Sequence, residues 1–240
     1  MARAGSVSRI VATIYDRLYA AAGPRGWWPG DGRDEIIIGA VLAQNTAWRN
    51  VEGALVNLRR AGLLRLSRLA VARPSTLARL LRPAGYFNLK ARRLKAVARF
   101  FAPAGRERFE EMAPWPTDRL REELLSVWGV GPETADSILL YALDRLSFVV
   151  DAYTLRVVER HGLLAAGSGY EAARSFFSRH TRPDPALYNE YHALLVWVGH
   201  HFCKPRPRCA ACPLSRRSCF ASEAAWRQLA SARAEKAMAS

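Results

Sequence analysis

Hydrophobic positions recur along most of the chain with the three- to four-residue spacing of amphipathic helices. The clearest stripes are Ile10, Val11, Ile14 and Leu18; Leu120, Leu124, Leu125 and Trp128; Ala135, Ile138, Leu139 and Ala142; and Leu187, Tyr191, Leu194, Leu195, Val198 and Phe202. The stretch DEIIIGAVLA is too apolar for a surface helix, so we expect it to be buried. Strand-like stretches such as SFVVD are short and lack a hairpin signal. The pattern therefore predicts an all-α fold.

Proline and glycine cluster at GPRGWWPGDG, ARPST, APAGRE, APWPTD and TRPDP, which predicts loops between the helices. No internal repeat and no low-complexity linker divides the chain. Its 240 residues are enough for one large domain or two modest ones.

The chain is strongly basic, with 36 basic against 21 acidic residues and a formal net charge of +15. Such a surplus indicates a polyanionic partner, either nucleic acid or an anionic membrane. Since only four of the basic residues are lysines, arginine-rich coding bias is the alternative explanation. No apolar run approaches the roughly 20 residues of a membrane span, and the first residues lack a secretory signal. We therefore expect a cytoplasmic, nucleoid-associated protein that does not contact the membrane.

All four cysteines lie between Cys203 and Cys219, with spacings of five, two and six residues. In a reducing compartment such a cluster favours metal ligation over disulfides. Thiolates at this density bind either Zn²⁺ or an iron–sulfur cluster.

The stretch WGVGPETAD predicts a helix that ends at Trp128, a tight Gly-Val-Gly turn and a second helix that begins near Pro132. Proline suits the first helical position because its missing N–H costs nothing there. Gly129 and Gly131 permit positive φ and the close approach of another backbone. The N–H groups at the start of the second helix would bind an anion such as a DNA phosphate. An ordinary turn between two helices is the alternative.

Asp151 follows the apolar run FVV and precedes the amphipathic stretch AYTLRVVERHG. By itself an aspartate in this position is explained as a helix N-cap, which is worth about 1 kcal/mol.

Together, LLSVWGVGPETADSILL, VVDAYTLRVV and the four cysteines resemble the helix-hairpin-helix DNA glycosylases of the endonuclease III superfamily, from about residue 27 to residue 219. WWPGDGRDEIIIGAVLAQNTAWRNV and RPAGYFNLKARRL resemble the branch that contains 3-methyladenine glycosylases and uracil-removing relatives. The resemblance implies two helical domains with DNA in the cleft between them. A six-helix barrel-type domain with the hairpin would span 32–148, and residues 1–31 plus 149–240 would form the second domain.

The resemblance also implies the catalytic groups. Bifunctional relatives carry a Schiff-base lysine where this chain has Glu133, and a carboxylate cannot form an imine. We therefore expect a monofunctional glycosylase in which Asp151 matches the catalytic aspartate of the family. Its charge would stabilise the oxocarbenium-like sugar and orient or deprotonate water. Glu133 either assists or only stabilises the start of its helix.

An enzyme that acts on a base in duplex DNA must extrude it and hold it in a pocket. By resemblance Trp27, Trp28 and Pro29 line that pocket, where flat aromatic faces suit an electron-poor alkylated purine. Gln44 would fill the vacated base stack, and Tyr86 would wedge the opposite strand. The alternatives are a tryptophan plug that packs against the first helix, a polar residue at a helix end for Gln44 and a core aromatic residue for Tyr86. The expected DNA contacts are Gly129, Val130, Gly131, Thr134 and Lys90.

The cysteine spacing differs from the family pattern of six, two and five residues, but the total span and the central pair are kept. We therefore expect Cys203, Cys209, Cys212 and Cys219 to bind a [4Fe–4S] cluster, with zinc as the alternative. The expected partner is double-stranded DNA with a damaged or mismatched base, and the protein should be a monomer. Alkylated adenine, uracil and mismatched thymine remain open as substrates. A bifunctional glycosylase/lyase and a non-catalytic DNA-binding homologue are the competing interpretations.

Overall fold

The computed structural model describes residues 2–28 and 30–215. These residues form helices, turns and coil without any strand, which confirms the predicted all-α fold. The α-helices are α1 (Ala2–Ala22), α2 (Arg33–Leu42), α3 (Trp48–Arg60), α4 (Leu66–Val71), α5 (Pro74–Leu80), α6 (Phe87–Phe101), α7 (Phe109–Met112), α8 (Thr117–Ser126), α9 (Pro132–Ser137), α10 (Ala152–Arg160), α11 (Gly169–His180) and α12 (Pro185–His201). Short 3₁₀ turns lie at Arg82–Ala84, Pro103–Gly105 and Cys209–Ala211. No helix in the described ranges is both long and apolar enough to cross a bilayer.

The chain divides into two compact units. One comprises Trp28–Leu146, and the other Met1–Trp27 together with Ser147–Ser240, of which the structure describes 2–27 and 147–215. We call them the hairpin unit and the terminal unit. The predicted division, at 31/32 and 148/149, differs from these bounds by a few residues, and the barrel-type description of the first domain stays a prediction.

The core of the hairpin unit forms around α2, whose apolar sequence is buried as predicted: Ile37, Ile38 and Leu42 have no exposed surface. The amphipathic α3 and α6 supply apolar faces to the same core, because their hydrophobic residues recur at helical spacing. After α9 the helix continues as a π-helical turn, Ile138–Ala142, which is also buried. Such turns are rare and occur frequently at functional sites.

In the terminal unit, α1 and α12 meet around a cluster of aromatic side chains. Phe148 stacks on Phe177 with ring centroids 4.3 Å apart, and the Tyr191 hydroxyl donates a hydrogen bond to the Val11 carbonyl at 2.8 Å. The run Phe148–Val150 is buried as coil instead of pairing in a sheet. This buried run ends directly at Asp151 and therefore fixes the start of α10.

Helix α8 ends earlier than the hydrophobic pattern predicts. Its last residue is Ser126, so Trp128 lies in the turn, where half of its surface is exposed. The Arg92 guanidinium lies 4.6 Å from the centre of the indole ring. Trp128 is therefore a surface residue of the hairpin, because the turn begins before the helical stripe can bring it into the core.

Candidate functional site

The turn between α8 and α9 contains two glycines, and the structure requires glycine at the first of them. At the second there is space for a side chain. Gly129 has φ +84°, and a Cβ atom there would lie 2.4 Å from Cγ of Arg93. Gly131 has φ −102°, so the expected positive φ is absent at this position. A Cβ atom on Gly131 would meet nothing within 4 Å. Gly129 is thus needed for the fold of the turn, whereas Gly131 leaves space for another molecule to approach.

Helix α9 begins as the sequence predicts, with Pro132 at its first position and Gly131 as a cap that has no side chain. Its first backbone hydrogen bond runs from the N–H of Ala135 to the Gly131 carbonyl at 2.9 Å. The N–H groups of Glu133 and Thr134 precede this bond, as the anion-site prediction requires. The Glu133 side chain is exposed in the first helical turn.

The side chains of Val130 and Thr134 are buried, so these two predicted DNA contacts have fewer groups available to bind DNA than expected. The Val130 N–H donates to the Val127 carbonyl at 3.0 Å, so only its own carbonyl group is left for a DNA contact. The Thr134 hydroxyl accepts a hydrogen bond from Gln44. A contact by Thr134 would therefore have to use its backbone.

Gln44 lies just beyond α2 and is bonded to the hairpin. Its Nε2 donates to the Gly129 carbonyl at 3.0 Å and to the Thr134 hydroxyl at 2.9 Å. Arg93 donates from Nη1 to the Gln44 Oε1 atom. Insertion of this side chain into a base stack, as predicted, would break all three bonds.

The prediction that Lys90 contacts DNA is wrong. Only 1% of Lys90 is exposed, and its Nζ donates to the Ala84 carbonyl at 2.6 Å. Burial, together with the nearby Arg93 charge, lowers the pKa of Lys90. The lysine faces the core side of α6, where its amine closes the 3₁₀ turn before the helix, and it cannot reach a phosphate.

Tyr86 is exposed and held in an unusual backbone conformation. It precedes α6 with φ +43° and ψ +35°, and 71% of its surface is accessible. A left-handed conformation is costly for an aromatic residue and is typical of functional positions. The alternative of a core aromatic residue is therefore excluded, while the wedge role stays a prediction.

Asp151 is the N-cap of α10, as the sequence predicts. Its Oδ1 accepts a hydrogen bond from the Thr154 N–H at 2.7 Å. The second carboxylate oxygen, Oδ2, lies 4.0 Å from Nε2 of His192, and 14% of the Asp151 side chain is exposed. The carboxylate is thus fixed at one oxygen and sheltered without being fully buried.

The two tryptophans of the GWWPG loop pack in different units. Trp27 contacts the ring of His192 edge to face, with centroids 6.3 Å apart. Trp28 stacks on Tyr141 of the π-helical turn at 5.1 Å and meets Trp48 edge to face at 4.9 Å. Trp28 is therefore packed among aromatic side chains of the hairpin unit, and Trp27 lies against the histidine that faces Asp151. Pro29 lies outside the described residues.

Three of the four predicted cysteine ligands line one cavity of about 720 Å³ in the terminal unit: Cys203, Cys209 and Cys212. Arg160 donates from Nη1 to Sγ of Cys203 at 3.5 Å and to the Lys204 carbonyl at 2.5 Å. Cys219 lies outside the described residues. Within the ranges that are described, no three His, Cys, Asp or Glu side chains converge closely enough to hold a metal ion. The donor set and the cation beside a sulfur nevertheless fit an iron–sulfur cluster, whose thiolates accept hydrogen bonds.

Residues 38–183 match the model of the HhH-GPD superfamily of base excision DNA repair proteins. The chain belongs to this family. It is accordingly a DNA glycosylase.

Relatives of this glycosylase agree with the assignment. A provisionally named DNA repair glycosylase of Methanocaldococcus jannaschii is 44% identical over 85% of this chain and 94% of its own. The structure of H. pylori 3-methyladenine DNA glycosylase bound to 1,N6-ethenoadenine is 29% identical, with a TM-score of 0.65 over 80% of this chain and 95% of that chain. A non-covalent endonuclease III–DNA complex has a TM-score of 0.71 over 86% and 92% of the two chains, and at 20% identity it supports the fold alone.

Sequence reasoning about this glycosylase missed several residues next to the predicted site residues, among them two arginines and a histidine. Arg93 binds Gln44, Arg160 binds the Cys203 sulfur, and His192 faces Asp151. Of these residues, only His192 could have been recognised as a candidate from the sequence, because it is a titratable residue beside Tyr191 in the apolar stripe of α12. The two arginines are indistinguishable in sequence from the many surface arginines.

Proposed function

We propose that this glycosylase is monofunctional and hydrolyses the N-glycosidic bond of a damaged base everted from double-stranded DNA, with Asp151 as its catalytic carboxylate. The observation that carries the proposal is the geometry of Asp151. One oxygen is held by the Thr154 N–H at 2.7 Å, and the side chain is sheltered but not closed to a substrate. A carboxylate with restricted motion and reduced hydration is suited to stabilise developing positive charge.

In the proposed reaction the bond between the sugar C1′ and the base breaks, and its electron pair leaves with the base. Positive charge develops on the sugar and is stabilised by the Asp151 carboxylate. A water oxygen then bonds to C1′, and the proton that it loses passes to Asp151 or to solvent. A base that is neutral before cleavage takes up a proton from solvent as it leaves, whereas a cationic alkylated base leaves as a neutral molecule. The products are the free base and an abasic site in an intact strand.

The surroundings of the lysines support a monofunctional enzyme. The amine of Lys90 is buried against the Ala84 carbonyl, and the amine of Lys95 is bonded to the Ala72 carbonyl. Lys204 lies in the cysteine loop, Lys236 lies outside the described residues, and the position of the family nucleophile is Glu133. An imine requires an accessible, deprotonated amine. Glu133 is assigned only a stabilising effect at the start of α9, where a negative charge is favourable.

We assign the base pocket to Trp27, Trp28 and Pro29; of these, Trp27 packs on His192, the residue that faces Asp151. Gln44 and Tyr86 are proposed to fill the gap and to wedge the opposite strand. Aromatic faces favour an electron-poor alkylated purine. The similar H. pylori enzyme is a 3-methyladenine glycosylase that was solved with an ethenoadenine, which supports the same class. Uracil and mismatched thymine are the other candidates.

Duplex DNA is the proposed partner, engaged by a monomer at the nucleoid. The backbone of the hairpin around Gly131 would grip phosphates, and the net charge of +15 would supply long-range attraction.

We further propose that Cys203, Cys209, Cys212 and Cys219 hold a [4Fe–4S] cluster, in preference to zinc. The cluster would supply structural cross-linking of the loop and takes no part in the hydrolytic step. The cavity lined by three of these cysteines and the Arg160 contact to Cys203 support this assignment.

A panel of duplex oligonucleotides, each with one lesion, tests the proposed function. The panel contains ethenoadenine, 3-methyladenine, uracil and a thymine mismatch, with undamaged duplex as the control. We expect strand breaks only after alkali and no adduct upon borohydride reduction. Breaks without alkali together with an adduct would establish a bifunctional enzyme. Duplex binding without any base release would establish a non-catalytic homologue.

A further inference from the structure

The side chain of His192 faces Oδ2 of the Asp151 carboxylate. It lies on α12, only 4% of it is exposed, and its Nε2 is 4.0 Å from Oδ2. The other oxygen is already engaged by the Thr154 N–H. The two oxygens therefore have different partners, one on the helix that Asp151 caps and one on a helix more than 30 residues later in the chain.

The orientation of the imidazole is restricted from a second side. Trp27 packs edge to face against the ring, with centroids 6.3 Å apart, and Trp27 is a residue of the proposed base pocket. The same ring thus contacts both the proposed base pocket and the proposed catalytic carboxylate.

The environment of the ring favours its neutral form. Burial lowers the pKa of His192, and the Asp151 charge opposes this shift without cancelling it. A neutral partner matters because a positively charged imidazole at this distance would offset the negative charge that the oxocarbenium-like sugar requires. A neutral N–H, by contrast, directs the carboxylate and leaves its charge in place.

We propose that His192 is a positioning residue for Asp151, whose neutral imidazole carries its proton on Nε2 and directs Oδ2 toward the reacting sugar. This role rests on the proposed function of Asp151. A separation of 4.0 Å is longer than a hydrogen bond, and catalytic hydrogen bonds of this kind commonly shorten when substrate binds. His192 acts through Asp151 and does not itself touch the substrate.

Single-turnover base release by two His192 variants tests the proposal. His192→Leu keeps a buried apolar group and removes the donor, so we expect a loss on the order of 100-fold with unchanged duplex affinity, as for a misplaced catalytic group. His192→Gln places an amide nitrogen near the position of Nε2 and should recover most of that loss. His180→Leu is the matched control, since His180 is a partly buried histidine of the same unit whose ring nitrogen contacts the Ser8 hydroxyl.

A double-mutant cycle separates positioning from packing. If His192 acts through Asp151, His192→Leu should cause no further loss in an Asp151→Asn background. Additive losses, or a failure of His192→Gln to recover activity while both variants melt at the same temperature, would overturn the proposal. Nitrogen-15 NMR of the histidines provides a readout without turnover, and we expect a neutral ring protonated at Nε2. A ring protonated only at Nδ1, or a cationic ring at pH 7, would also overturn it.

The outcomes distinguish the two proposals. Wild-type protein that releases no base from any lesion refutes the proposed function and the positioning role with it. Active wild-type protein with an equally active His192→Leu variant refutes the positioning role alone.

Discussion

The side-chain amide of Gln44 donates a hydrogen bond to the carbonyl of Gly129, 3.0 Å away across the hairpin unit. This bond joins the end of α2 to the turn that carries the proposed phosphate site. The same amide also binds Thr134 and accepts from Arg93, so one side chain fixes the turn to the core.

Replacing Gln44 by alanine should therefore destabilise the fold as well as impair base eversion. Gln44→Ala leaves the buried Thr134 hydroxyl and Arg93 without their partner, and we expect the free energy of unfolding to fall by about 1–3 kcal/mol. Urea denaturation measures the change. Asn50→Ala is the control, because the Asn50 side chain donates locally, to the Thr46 hydroxyl four residues earlier. Equal stabilities of wild type and Gln44→Ala would contradict the bridging role.

The two hairpin glycines should respond differently to alanine. Gly129→Ala forces a left-handed φ on a residue with a Cβ atom and crowds Arg93, so it should cost roughly 1–3 kcal/mol of stability. Gly131→Ala meets no neighbour and should fold as well as wild type, but its methyl group should weaken DNA binding. Denaturation and fluorescence anisotropy with duplex DNA measure the two effects. Unchanged affinity in Gly131→Ala would remove this turn from the interface.

Tyr86 has a strained, left-handed backbone conformation, and its exposed ring does not contribute to the core. Tyr86→Gly should raise the free energy of unfolding by up to about 1 kcal/mol, since glycine adopts positive φ readily. The same change should slow base release from a paired duplex more than from a lesion in an unpaired bubble, where no wedge is needed. Tyr86→Phe should retain wild-type rates on both substrates. Equal slowing on both substrates would argue against a wedge.

Removal of the Asp151 charge should abolish chemistry and preserve the fold. Asp151→Asn keeps a good N-cap, because asparagine caps helices about as well as aspartate. We expect base release to fall at least about 100-fold with unchanged duplex affinity. Asp184→Asn is the matched control, since Asp184 caps α12 of the same unit through the N–H groups of Ala186 and Leu187. Similar rates for the two variants would exclude Asp151 from the mechanism.

The contact between Arg160 and Cys203 predicts a change in the properties of the proposed cluster. Protein purified anaerobically should contain about four iron atoms per chain. Arg160→Gln should lower the reduction potential, because the cationic donor beside the Cys203 sulfur stabilises the more negative, reduced cluster. Arg156→Gln is the control, since Arg156 binds the Cys203 carbonyl instead. Zinc in place of iron, or an iron-free protein, would refute the cluster assignment.

Much of the fold could be predicted because helical periodicity and cap residues act over a few positions. The buried α2, the start of α9 at Pro132 and the Asp151 cap of α10 follow directly from such local patterns. The end of α8 could not be predicted in this way. Trp128 continues the apolar stripe, but the hairpin begins before it and leaves its ring beside Arg92.

Candidate residues were easier to find than their environments. Lys90 lies in a basic segment, which predicts a phosphate contact. In the structure it lies on the buried side of its helix, and its amine donates to the Ala84 carbonyl. The tryptophan pair reads as one stacking surface, yet Trp27 and Trp28 pack against different partners, His192 and Tyr141. In both cases the contacts of the side chain depend on which side of its helix or loop faces the core, and the local sequence does not determine this.

The sequence by itself determined the helices, the hairpin and the identity of the carboxylate and thiol groups, because each depends on residue types within a few positions of one another. Only the tertiary structure decided that Gln44 binds the hairpin, that Lys90 is buried and that His192 faces Asp151. These relationships join residues far apart in the chain, and the packing of whole helices, to which many side chains contribute at once, sets their distances and their burial.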